Sequence, residues 1–190
     1  MNEPSKTSKS ARTREKLLKT SLDLMEQKGY QNTTVRDICS KANLSIGTFY
    51  SYFPSKSDLF FDIYKKADDY FSDYVSVQIS GDNVSERIVD FFRYYAELNI
   101  NTGIELLKIL FNPENSWFTQ ERPMQLVLAS LIEEGIASGE LKCPAGAKYL
   151  EDMLFILARG CCYNWCILDG EYDLTAELTG YVENVLKAFR

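Results

Sequence analysis

Residues 33–56 read TTVRDICSKANLSIGTFYSYFPSK: a short capped helix, a tight turn and a second short helix. Thr34 stands just before an apolar-periodic stretch and Asp37 follows three residues later. A hydroxyl and a carboxylate can then satisfy the orphan amides of one helix start, a capping box with Asp where Glu or Gln is usual. Val35, Ile38, Cys39 and Ala42 recur at helical spacing and predict one buried side, with Arg36 and Lys41 outside. Asn43 tolerates left-handed backbone, so the helix stops there. Leu44 offers an apolar plug, Ser45 can cap the next helix, and that helix runs from Ile46 to Phe53, where Pro54 ends it. Phe49 and Phe53, four apart, should point inward. The outward set is Ile46, Gly47, Thr48, Tyr50, Ser51 and Tyr52, small or hydroxyl-bearing groups rather than the Lys and Glu of a solvated face. This is the layout of a helix-turn-helix that reads DNA.

The flanks agree with that reading. Leu17, Leu18, Ser21, Leu24 and Met25 make a helical stripe in front of the pair, with Gly29 as its stop. Arg12 and Arg14 can reach phosphates or simply start that helix. After Pro54 a helix capped by Ser55 or Ser57 should run through Leu59, Phe60, Ile63, Tyr64 and Ala67 to about Ile79. The net charge is -6, unevenly spread: residues 1–66 hold twelve Lys or Arg against seven Asp or Glu, and residues 67–190 nine against twenty. Cationic residues are thus concentrated where phosphates would have to be neutralised. With 45% apolar residues, sparse Gly and Pro and no sustained alternation, the chain should be all-helical with a sizeable core.

The run resembles the DNA-binding head of the tetracycline-repressor (TetR) family of bacterial transcription regulators. Thr34, Ile38, Ala42, Leu44, Ser45, Gly47, Thr48, Phe49, Tyr50, Phe53, Lys56 and Leu59 carry the resemblance, which covers residues 10–60 or so. Cys39, Asn43 and Tyr52 depart from the usual Ala, Gly and His. The resemblance implies a three-helix head joined to a helical ligand-binding and dimerisation body: a flexible arm over 1–9, a head over 10–70 and a body over 71–190. It implies that Thr34, Arg36, Tyr50, Tyr52 and Lys56 position phosphates and that Ser45, Ile46, Gly47 and Thr48 approach base edges.

The body should contain helices over about 85–99, 103–111, 123–138, 145–168 and 174–189, separated by Gly, Pro and Asp-Gly punctuation. The fourth of these is apolar almost all round and needs cover on both faces. The family's two-fold interface would supply it, with Leu168, Leu174, Leu178, Tyr181, Val182 and Val185 as interface candidates; two copies would present two heads to a palindromic operator. The resemblance also implies an effector pocket in the body. Phe92, Tyr95, Phe111, Trp117, Phe118, Phe155 and Tyr163 are its candidate lining, and so many rings suggest an apolar or aromatic small molecule. The reading is a homodimeric repressor released by such a ligand.

Other classes fare worse. No His is present to complete a triad or a mixed metal site, so neither metal nor cofactor is expected. Cys161, Cys162 and Cys166 suit tight packing better than chemistry, although a strongly depressed thiol pKa would favour a Cys-dependent enzyme. A protein of the same fold that acts mainly on a protein partner, with DNA as its platform, is the other alternative. With no export-like opening and no apolar run longer than Met153 to Ala158, the protein is expected in the cytoplasm and not in a membrane.

Overall fold

The structure, a computed structural model, describes residues 6–111 and 122–190, with the side chains of 6–8, 61 and 62 excepted. Every regular element among the described residues is helical, as the sequence pattern predicts. The chain divides into two compact units, Met1–Ile63 and Tyr64–Arg190. The division falls earlier than the expected boundary at 70. The expected flexible arm is also shortened, because α1 (Lys6–Lys28) already includes residues 6–9.

In the first unit, Leu17, Ser21 and Met25 form the buried stripe of α1, and the Ser21 hydroxyl donates to the Leu17 carbonyl at 2.7 Å. Gly29, in the left-handed region, ends that helix. α2 (Val35–Ala42) buries Ile38, Cys39 and Ala42, and Asn43 closes it with φ 53° and ψ 51°. Its amide donates to the Cys39 and Ser40 carbonyls, a left-handed cap at the position where the sequence predicts the turn. α3 (Ile46–Tyr52) buries Phe49, and Phe53 beyond it is fully buried too, their ring centroids 5.6 Å apart. Phe53 is extended, as the residue before Pro54 should be.

A 3-10 turn (Ser57–Phe60) leads into α4 (Phe61–Tyr70), within which the division between units falls. The helix expected to run on to Ile79 is interrupted: residues Phe71–Val75 form a wide π turn, followed by the short α5 (Ser76–Gln78). Nothing in the hydrophobic period marks that widening.

The second unit is arranged around α6 (Val84–Thr102), which packs against α7 (Ile104–Leu110), α8 (Pro123–Ser138), α9 (Ala147–Ile167) and α10 (Leu174–Lys187). Its core joins Ile88, Phe91, Phe92 and Ala96 of α6 to Leu128 and Ile132 of α8, Leu150, Leu154 and Ala158 of α9, and the α10 stripe Leu174, Leu178, Val182 and Leu186. Close packing needs Gly135, where a Cβ would stand 2.7 Å from Leu141 Cδ1 and 3.0 Å from Val84 Cγ1. Glu140 then caps α6, its two carboxylate oxygens accepting from the Val84 and Ser85 amides at 2.9 and 2.7 Å.

Candidate nucleic-acid interface

The recognition pair is held by local hydrogen bonds that its sequence specifies. Thr34 Oγ1 accepts from the Asp37 amide at 3.2 Å, and Asp37 Oδ2 accepts from the Thr34 amide at 2.9 Å, which completes the capping box. Lys28, from the last turn of α1, donates to the same Asp37 oxygen at 2.7 Å and ties α1 to α2. That ammonium, then the Thr34 hydroxyl and amide, hold the Asp37 carboxyl well below its ordinary value of 3.8. A carboxyl with a depressed folded-state pKa stabilises the fold above its unfolded value and loses that contribution as pH falls through the folded one. The first unit should therefore lose stability on acidification below about pH 4, and Asp37→Asn should flatten that acid limb in denaturant midpoints measured against pH. Thr34→Ala should cost about 1 kcal/mol.

On α3, Ser45 Oγ accepts from the Thr48 amide at 2.9 Å and lies 2.8 Å from the Thr48 hydroxyl. Ser45, Ile46, Gly47, Tyr50 and Ser51 are exposed, Thr48 and Tyr52 half-buried. The outward surface of this helix is thus made of the small and hydroxyl-bearing groups expected there. Tyr50 sets its ring edge-on to buried Phe49 with centroids 5.5 Å apart, so its backing is packed while more than half its surface stays open. Arg36, on α2, and Arg12, on α1, are exposed.

Lys56 and Arg14 are placed differently from what was expected of them. The Lys56 ammonium donates to the Tyr30 carbonyl at 2.7 Å and the Thr33 carbonyl at 3.0 Å, and it sits 3.8 Å from the centre of the Tyr30 ring. Arg14 donates to the Tyr52 carbonyl at 3.1 Å, with its guanidinium 4.5 Å from the centre of the Phe53 ring. Both cations thus clip together the connections around the pair. The three carbonyls they hold are 23, 26 and 38 residues away in sequence, so spacing alone could not reveal them.

The body candidates separate into groups. Phe92, Tyr95 and Phe155 come together, with ring centroids 5.9 to 6.1 Å apart. Phe111 is half-buried at the end of α7. Tyr163 is not with them: it lies on the outward side of α9, more than half exposed. Trp117 and Phe118 lie outside the described residues. Of the expected interface set, Leu174, Leu178 and Val182 are fully buried within the single chain, where the α10 stripe packs on α6, and cannot touch a second copy. Leu168 and Tyr181 are exposed, and Val185 is half-buried. Sequence reading asked for cover on both faces of α9 but did not name its outward stripe, Tyr149, Ile156, Tyr163 and Ile167, each more than half exposed. Its signal is an apolar residue at every seventh position, 149, 156 and 163.

All five cysteines are free and buried, and burial pushes the thiols of Cys39, Cys161, Cys162 and Cys166 up, the opposite of the activation a nucleophile needs.

A family model described as "Bacterial regulatory proteins, tetR family" matches residues 17–63, the span that contains this interface. Residues 17–63 thus match the DNA-binding head of TetR-family transcriptional regulators. Beyond the head, similarity runs along the length of the protein. The "Probable acrEF/envCD operon repressor" of Escherichia coli K12 is 25% identical over 94% of this chain and 87% of its own. The "Fatty acid metabolism regulator protein" of Bacillus subtilis is 23% identical over 84% and 87%. Among solved structures, FadR from Bacillus subtilis in complex with stearoyl-CoA aligns with a TM-score of 0.71, 22% identity and coverage of 90% and 96%. A regulator from Syntrophomonas wolfei aligns at 0.72, with 24% identity and 94% of each chain. These structures share the fold. The relatives are regulators of transcription, and no helix among the described residues of this chain is long and apolar enough to cross a membrane.

Proposed function

We propose that this regulator is a cytoplasmic repressor that binds a palindromic operator as a homodimer and is released by a small apolar or aromatic ligand in its body. The observation that carries the DNA reading is the outward surface of α3, where Ile46, Gly47, Thr48 and Tyr50 stand on a helix fixed by the Ser45 cap and the buried Phe49. Ile46 and the Thr48 methyl suit thymine methyl groups, and Gly47 lets backbone come near base edges. Thr34, Arg36, Ser45, Tyr50 and Tyr52 belong to the same surface, as phosphate or base contacts. Lys56 contributes through the clip it makes.

The homodimer follows from α9. Its outward apolar stripe needs cover, and Gly160 leaves open space where a Cβ would be, so a second helix can approach closely. A groove of about 290 Å³ beside it is lined by Ile156, Gly160, Cys161, Tyr172, Glu177 and Tyr181. Release works by population shift: the ligand binds better to the conformer whose heads are spaced wrongly for successive major grooves.

Selection of duplexes from a random pool by the full-length protein tests the reading. Enrichment of a two-fold-symmetric motif is expected, and enrichment of no motif would remove it. On the selected duplex, Thr48→Ala should change the ranking among site variants. Lys56→Ala should weaken all of them alike and also lower the unfolding midpoint, because two charge-assisted hydrogen bonds are lost, about 1.5–3 kcal/mol each at most. An unchanged midpoint would return Lys56 to a purely phosphate-binding role.

A further inference from the structure

Arg122 begins α8 as its N-terminal flanking residue, and its side chain is directed into the second unit. The residue is only 8% exposed. Nε donates to Asp68 Oδ2 at 3.2 Å, Nη2 lies 3.2 Å from Asp68 Oδ1, and the guanidinium carbon is 4.8 Å from the centre of the Tyr64 ring. Nη2 nevertheless makes no hydrogen bond. The carboxylate is near enough for charge attraction but lies off the line of that nitrogen's N–H bonds. Asp68 is shared as well, since the Met124 amide donates to its Oδ1 at 3.4 Å. A buried guanidinium N–H without an acceptor is unusual and costly, and it marks a place where an anion would be accepted.

The neighbourhood gives that anion a body. Burial pushes the Tyr95 hydroxyl up, while the charges of Arg122, ahead of α8, and Arg159, on α9, act on it in the opposite direction. The Tyr95 ring is in turn 6.1 Å from Phe92 and 6.1 Å from Phe155. Tyr95 thus belongs to the aromatic group and also feels the charge of Arg122.

We propose that Arg122 receives the carboxylate of the effector, and that the effector is a monocarboxylic acid with an apolar or aromatic body lying against Tyr95, Phe92 and Phe155. The inference rests on the ligand-released reading above and specifies the ligand's chemical class. The acid takes the Nη2 hydrogen that Asp68 leaves unused, and it competes with Asp68 for the guanidinium. Asp68 is on α4, so the incoming acid loosens the tie between α4 and α8 within this unit.

The test is calorimetric titration of the full-length protein with decanoate and phenylacetate, with the neutral decanamide and phenylacetamide, and with decanoyl-CoA. The same probes are then added to the protein on its selected duplex. The acids should bind about tenfold or more tightly than their amides, the advantage of a charge-assisted hydrogen bond. Arg122→Gln should erase that advantage. Asp68→Asn, which removes the competitor, should enlarge it. The double variant Asp68→Asn/Arg122→Gln carries neither buried charge and serves as the folded control, in which the advantage is again erased. Acids and amides binding alike, an acid preference that survives in both Arg122 variants, binding of decanoyl-CoA alone, or binding of no probe would each overturn the proposal. Duplex binding without any probe is read separately in the same samples, so failure of the acid site and failure of the regulator reading are told apart.

Discussion

Phe49→Ala is expected to unfold the DNA-binding unit while the second unit stays folded. Phe49 is fully buried between Phe53, 5.6 Å away, and the edge-on ring of Tyr50. It is the inward anchor of a seven-residue helix that cannot hold itself. Truncating a buried Phe to Ala costs about 3–5 kcal/mol. A unit of about 60 residues has only roughly 3–9 kcal/mol in total at 0.05–0.15 kcal/mol per residue, so the loss takes most or all of it. The core of the second unit contains neither Phe49 nor its partners. In a urea titration followed by circular dichroism, the variant should show a missing or much earlier first transition, with the second in place, and should bind no duplex at assay temperature. Phe49→Leu keeps most of the volume and should recover much of both. A Phe49→Ala protein with the wild-type midpoint and duplex affinity would show that α3 is positioned by its caps and not by this ring.

The recognition pair was legible in the sequence because its determinants are local. Thr34 with Asp37, Asn43 in the left-handed region, Ser45 with Thr48 and Phe53 before Pro54 are all interactions within four residues, which spacing can encode. Lys56 shows where that stops. Its position at the start of a turn is visible, but the two carbonyls beneath it come from a loop brought there by α1 and α2. The same limit explains α10. Its apolar stripe is evident in Leu174, Leu178 and Val182, yet periodicity says that a face is buried and not against what. Here the partner is α6 of the same chain. For α9 the two faces differ in a way composition hides: Leu150, Leu154 and Ala158 turn to the core, while Tyr149, Ile156 and Tyr163 turn out. Asp68 and Arg122 left no trace at all, since a buried ion pair across 54 residues has no spacing to recognise. The π turn at Phe71–Val75 is likewise silent, because its flanking residues keep ordinary helical character.

Ile156→Arg should convert the protein to monomers and take most of its operator affinity with it. Ile156 is 63% exposed at the middle of the outward stripe of α9, between Tyr149 and Tyr163. Around a two-fold axis the same patch faces itself, so one substitution puts two guanidiniums into the apolar contact at once. Each would have to be desolvated on entering that contact, a cost that burial of the remaining apolar surface does not offset even with Glu177 lining the same groove. The second unit should stay folded, because the side chain contributes little to the core of its own chain. In the proposed homodimer, operator affinity depends on both heads being held at a fixed separation. Losing that linkage should weaken binding by about 10²–10⁴, toward what one head alone achieves. Leu126→Arg is the matched control: Leu126 is 56% exposed on a different helix, α8, so the same charge there should leave assembly and binding intact. Sedimentation velocity and duplex titration on the three proteins decide the matter. If Ile156→Arg sediments with the wild type, the stripe is not the contact between copies, and the exposed Leu168 and Tyr181 become the surfaces to substitute next.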